Sequence, residues 1–165
     1  MTDPPRRPRY FTGMILAARD LEAEQTYHRQ MRYLANRLCG GGIAEGLDVT
    51  LAGRGVAVSP GVAIDPLGRE LVLTEPVRVP LTERRRREPD AWDLLLVWGE
   101  DLDGPVPVPG EEAEPAWVVE RPRVHLLPPG QAPGEAVILA RLTHTQDGVG
   151  VDLSVRHRRT GCCRD

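Results

Sequence analysis

Ser59 and Ser154 are the only serines in the chain, and neither stands in the Gly-x-Ser-x-Gly turn that presents a nucleophile at the top of a sheet. Ser59 instead precedes Pro60-Gly61, which reads as a turn. The histidines His28, His125, His144 and His157 are scattered over a helix and three β-like regions, and none has a partner at metal-ligand spacing. His157 with Cys162 and Cys163 offers soft ligands, but adjacent cysteines seldom hold one tetrahedral zinc. Asp101 with Asp103, and Glu111 with Glu112, are the right residue types for acid–base work. They fall in an acidic, proline-rich stretch where nothing builds a pocket around them. The cluster Gly40-Gly41-Gly42-Ile43-Ala44-Glu45-Gly46 follows a helix and opens a strand, the reverse of a phosphate loop, and the chain has no lysine for one. The expectation is therefore no catalytic residue, no cofactor and no metal, and a protein that is not an enzyme.

What remains is the chemistry of contact. Tyr27, Met31, Leu34 and Leu38 recur at spacings of 4, 3 and 4, an apolar stripe down one helix face. Two readings stay open: the stripe packs on the protein's own sheet, or it pairs with another subunit. Arg84, Arg85, Arg86 and Arg87, flanked by Glu83 and Glu88, form either a solvated turn or a patch against a partner. Tyr10 and Phe11 add aromatic surface to the N-terminal segment. Trp92, Trp98 and Trp117 alternate with apolar neighbours, which favours burial over an exposed glycan platform.

The elements that must carry these residues divide the chain four ways: an extended arm at 1–17, a long helix at 18–39, an antiparallel β domain at 40–156 and a flexible tail at 157–165. Ala18 to Leu38 lacks Gly and Pro and is dense in good helix formers, and Gly40 to Gly42 stop it. At about 1.5 Å per residue that helix is roughly 30 Å long. Short β-like runs follow to the end: Leu47 to Leu51, Gly55 to Val58, Val62 to Ile64, Glu70 to Leu73, Val77 to Leu81, Asp93 to Trp98, Trp117 to Leu127, Ala136 to Thr143 and Gly148 to Val155. Asp65-Pro66-Leu67-Gly68 joins two of them as a hairpin. Thr82 to Pro89 and Asp101 to Pro115 read as long solvated loops. The predicted fold class is α+β, one long N-terminal helix followed by an antiparallel β-sandwich or small barrel. Removing the tail after Arg156 should leave that fold unchanged.

Composition narrows the partners. The net charge is −3, which gives no reason to expect nucleic acid. No apolar run approaches the roughly 18 residues that a membrane span requires, and the N-terminal arginines lead into no secretory apolar segment. Cytoplasmic synthesis follows, and the three cysteines, Cys39, Cys162 and Cys163, read as free thiols. Gly and Pro, 17 and 16 residues, make up a fifth of the chain and signal many turns.

Several strings carry a resemblance: Tyr10-Phe11-Thr12-Gly13-Met14-Ile15-Leu16, Asp20-Leu21, Glu24-Gln25-x-Tyr27-His28-Arg29, Gly40-x-Gly42-Ile43-x-x-Gly46-Leu47-x-Val49, and Val58-Ser59-Pro60-Gly61-x-Ala63-Ile64-Asp65-x-x-Gly68-Arg69-Glu70. Over about residues 9 to 75 the chain resembles baseplate or tail-fibre-base proteins of phage-tail-like contractile injection systems. Val137 to Leu142 is more weakly similar to later strands of such attachment domains. The chain departs from the pattern at Ala17, where relatives tend to carry Thr or Ser as the helix cap; Asp20 keeps the acid three residues on. The resemblance implies a structural adaptor or anchor between baseplate and tail-fibre or accessory subunits. It further implies a homotrimer, assembled into a particle that is retained or released. The alternative from the residues alone is a free-standing β-barrel binding module for a small ligand or glycan.

Overall fold

The computed structural model describes residues 4–81, 91–107, 114–145 and 148–159. Its helix, α1 (Ala18–Leu38), has the predicted bounds. Ala17 supplies no side-chain cap, and Asp20 compensates by accepting the Ala17 N–H on Oδ2 at 2.9 Å. Cys39 closes the last turn and Gly40 follows at φ 79°.

Among the described residues twelve antiparallel strands follow: β1 (Gly42–Gly46), β2 (Val49–Ala52), β3 (Gly55–Val58), β4 (Gly61–Ile64), β5 (Glu70–Leu73), β6 (Val77–Pro80), β7 (Ala91–Val97), β8 (Glu100–Val106), β9 (Glu114–Glu120), β10 (Arg123–Leu127), β11 (Val137–Thr145) and β12 (Gly148–Asp152). They form sheets in the orders β1-β4-β5, β2-β3-β6, β10-β7-β11-β12 and β8-β9. One core joins the first three sheets: Ile43 and Leu71, Val56 and Val58, and Leu94, Leu96, Leu139 and Leu142 all lie buried in a single cluster. Each such side chain contributes about 1.5–3 kcal/mol by leaving water. The predicted α+β class, a helix and then an antiparallel sandwich, is what forms. The hairpin of β4 and β5 also forms, pairing Ile64 with Glu70 and Val62 with Val72.

Two charged side chains inside the sandwich find partners. Asp93 on β7 is 2% exposed and takes Arg141 of β11 bidentately, at 2.7 and 3.1 Å. Burial lowers the Arg156 pKa, and this guanidinium still donates to the carbonyls of Leu47, at 2.7 Å, and Gly46.

Four expectations need correction. The first strand begins before the expected Leu47: the glycine cluster stops the helix, as expected, and its residues Gly42 to Gly46 are strand β1; a Cβ on Gly42 would lie 2.6 Å from the His157 carbonyl, so the glycine admits a close neighbour. That neighbour comes from the expected tail. Ile43 N–H donates to His157 O at 2.8 Å, and Arg159 N–H to Ile43 O at 2.9 Å. Residues 157–159 are thus bound to β1, and truncation after Arg156 would strip these bonds. Cys39 is disulfide-bonded rather than a free thiol. An odd count argues against a framework of bridges but not against a single one. Cys162 and Cys163 lie outside the described residues.

The fourth correction concerns Asp101 to Pro115, which is not one loop. Glu100–Val106 and Glu114–Glu120 are strands paired with each other. The expected strand Trp117 to Leu127 is broken at Arg121-Pro122, since proline cannot donate to a ladder. Both halves nevertheless belong to one long hairpin: β7 pairs β10 with Val97 opposite Arg123, and the same register resumes with Glu100 opposite Glu120. The outer half leaves the sandwich as a two-stranded ribbon. Arg84 to Arg87 lie outside the described residues, so that patch has no structural account.

Candidate assembly interface

Helix α1 is mounted on the β4–β5 turn, and each residue of the resembling motif there has a mechanical part. Asp65, 1% exposed, accepts the N–H groups of Leu67 and Arg69 on Oδ1 at 2.9 and 2.8 Å and pairs with the Arg69 side chain. That fixes the turn. Gly68 then sits at φ 88°, where an added Cβ would fall 2.1 Å from the Tyr33 carbonyl of α1. Only glycine lets helix and turn approach so closely. Asn36 Nδ2 donates to Gly68 O at 2.9 Å and to Glu70 Oε1 at 2.7 Å, and Arg32 pairs with Glu70 at 2.8 Å. Burial and nearby Glu120 raise the Tyr33 phenol pKa. Ser59, at the other end of the motif, accepts Asp48 N–H on Oγ at 2.9 Å.

The apolar stripe takes no part in this mount. No residue of α1 is buried. Tyr27 and Met31 are half-buried, while Leu34 and Leu38 are 42% and 82% exposed. The reading in which the stripe packs on the protein's own sheet is therefore overturned. The helix is held by polar bonds along another face, leaving Leu34 and Leu38 of the stripe uncovered.

The arm folds back rather than projecting. Tyr10 Oη donates to the Glu24 carboxylate, which raises the phenol pKa. A groove of about 580 Å³ lies between arm and helix, with Arg6, Arg7 and Pro8 on one side and Arg19, Ala23 and Tyr27 on the other. Phe11 and Ile15 of the arm are 66% and 92% exposed. The structure thus brings Tyr10 to Glu24 and Tyr27 near the middle of α1, while Leu34 and Leu38 lie towards its C-terminal end.

Sequence reasoning missed the β8–β9 ribbon. Trp117, expected to be buried, is 68% exposed; its ring lies over Gly104, whose Cβ would be 2.5 Å from the indole Cδ1. Trp98 is half-buried, with the Arg69 guanidinium 5.2 Å above its ring. The available signal was the pairing of apolar residues with prolines at matching distances on both sides of the acidic stretch. Among the described residues no group of three or more His, Cys, Asp or Glu could hold a metal ion, and no helix is long and apolar enough to cross a membrane.

No family model matches the sequence, and no curated protein matches it. Solved structures do. A chain from the type VI secretion system TssK-TssF-TssG baseplate subcomplex matches at TM-score 0.60 and 12% identity, covering 90% of this chain and 60% of that one. The crystal structure of TssK matches at 0.57 and 12%, covering 90% and 41%. A chain from the type VI secretion baseplate complex matches at 0.52 and 15%, covering 91% and 58%. At such identities the likeness is one of fold, spanning about nine tenths of this chain but less than two thirds of each of the others.

Proposed function

We propose that this chain is a structural subunit of the baseplate of a phage-tail-like contractile injection particle, where it anchors or adapts tail-fibre or accessory subunits and has no catalytic role. The observation that carries the reading is the fold likeness over 90% of the chain to proteins whose structures were solved as baseplate components. The mounted helix with Leu34 and Leu38 uncovered supports it, because a rigid body bearing an unsatisfied apolar face suits assembly rather than turnover. Self-association, as a homotrimer, belongs to the same proposal. The test is a tagged pull-down from producing cells under mild lysis, read by mass spectrometry and negative-stain microscopy. Sheathed tubes with co-enriched baseplate proteins are expected. Recovery of the bare protein alone would favour a free-standing binding module, on whose side the exposed Trp117 ring stands.

A further inference from the structure

We propose that the β8–β9 ribbon of one copy docks in the arm–helix groove of a second copy. The inference deepens the self-association proposed above by naming its contact.

The ribbon lacks cover of its own. Among the described residues its strands pair only with each other, and none of the residues in these strands is buried. A two-stranded hairpin is marginal in water, and this one exposes Leu102 at 69%, Trp117 at 68% and Val118 at 57%. Leu102 and Val118 stand directly opposite each other, while Asp103 pairs with Trp117 in the next row. Both faces of the ribbon are therefore partly apolar. Pro105 and Pro115 lie opposite each other near its outer end, where missing N–H groups discourage further strand pairing. Docking through side chains is what such a ribbon allows.

Charge selects the occupant. Residues 100–120 contain seven acids and no basic residue, whereas residues 4–19 contain four arginines and no acid. Arg121 and Arg123 pair with Asp101 at the ribbon's base, so the charges further out, Asp103 and Glu114, are those that a partner meets. In the groove, Arg6, Arg7 and Arg19 stand beside Asp20 and Glu22, and Asp20 is engaged by the Ala17 N–H. Opposite fields of this kind steer and orient association.

The ribbon is that of a second copy, because a chain's own ribbon does not reach its own groove. Ribbon and helix approach at the ribbon's base, where Arg29 lies 3.9 Å from Glu100, and no ribbon residue lines the groove at Arg19 to Tyr27. The joined patches differ, so the contact is heterologous and closes into a ring when its rotation permits.

The test uses the purified full chain. A photo-crosslinking benzoylphenylalanine at Trp117, in an equal mixture of ¹⁴N and ¹⁵N protein, should give heavy–light crosslinks to residues 6–27. Light scattering should show association that weakens with salt. Arg6→Glu with Arg7→Glu and Arg19→Glu, or Asp103→Arg with Glu114→Arg, should each weaken self-association about 30-fold. Mixing the two charge-reversed proteins should restore association between them, a gain that misfolded variants could not produce. A chain monomeric at all concentrations, crosslinks confined to one chain, crosslinks elsewhere, or Trp117 answering only to glycans would overturn the proposal. These readouts need no baseplate, so failure of the pull-down above would be distinguished from failure of this contact.

Discussion

Gly68 shows how much a single residue carries. Its left-handed backbone costs an L-residue about 1–2 kcal/mol, and the Cβ would also collide with the Tyr33 carbonyl at 2.1 Å. Gly68→Ala should therefore lower the unfolding free energy by at least that amount in urea melts and loosen α1 in amide exchange; an unshifted midpoint would contradict the mount. Tyr10 does the corresponding work for the arm. Its pKa is raised above 10.0, first by the hydrogen bond to Glu24, then by desolvation and by the Glu24 charge. A phenol that titrates higher when docked contributes fully below the free value, and its contribution is lost as pH rises through the raised one. The arm should thus stay docked at neutral pH and release in alkali. Tyr10→Phe should remove the late-rising phenolate absorbance and speed tryptic cleavage after Arg9 at pH 7; identical cleavage rates would show that the bond holds nothing.

At the scale of elements, what could be read from the sequence depended on whether burial left a pattern. Helix α1 was legible because propensity, stripe and stop signals agree over 21 residues. The β4–β5 hairpin was legible because Asp65 and Gly68 are turn residues with a mechanism. The ribbon was not, because a hairpin with neither face on the core carries no alternation, and its acids and prolines imitate a solvated loop. Strand β1 was hidden for the opposite reason: its Gly42 serves close packing against the C-terminal segment, a contact more than a hundred residues away in sequence, and its Gly46 against Pro60. The candidate interface was half legible. The stripe could be named, but whether it faced the protein's own sheet was decided by Asn36 and Arg32, polar residues that no hydrophobic period reveals. Leu34→Asp combined with Leu38→Asp should leave circular dichroism unchanged and shift stability by no more than about 0.5 kcal/mol per site, as expected for surface positions. Assembly should be lost in the same protein. Unfolding of the double variant would return the stripe to the core.

For the whole molecule, the long hairpin separates fold from assembly. Its inner half, β7 with β10, is central to the sandwich: Leu94, Leu96 and Leu126 belong to the core cluster. Its outer half contributes no buried residue. The boundary is already closed, because Arg121 N–H donates to Gly99 O at 2.7 Å, the bond that a two-residue hairpin turn would make in the same register. Replacing Glu100–Glu120 by Asn-Gly should therefore give a shorter, intact sandwich. Its Tm should lie within about 2–4 °C of the parent, corresponding to roughly 1 kcal/mol in a domain of this size. Self-association should disappear, since the excised segment holds Leu102, Trp117 and the outer acids while leaving the mount, the stripe and the groove in place. Differential scanning calorimetry and light scattering on one preparation read both halves of the claim. A large loss of Tm would make the ribbon part of the folding unit, and an unchanged oligomer would move the contact between copies to the helix stripe.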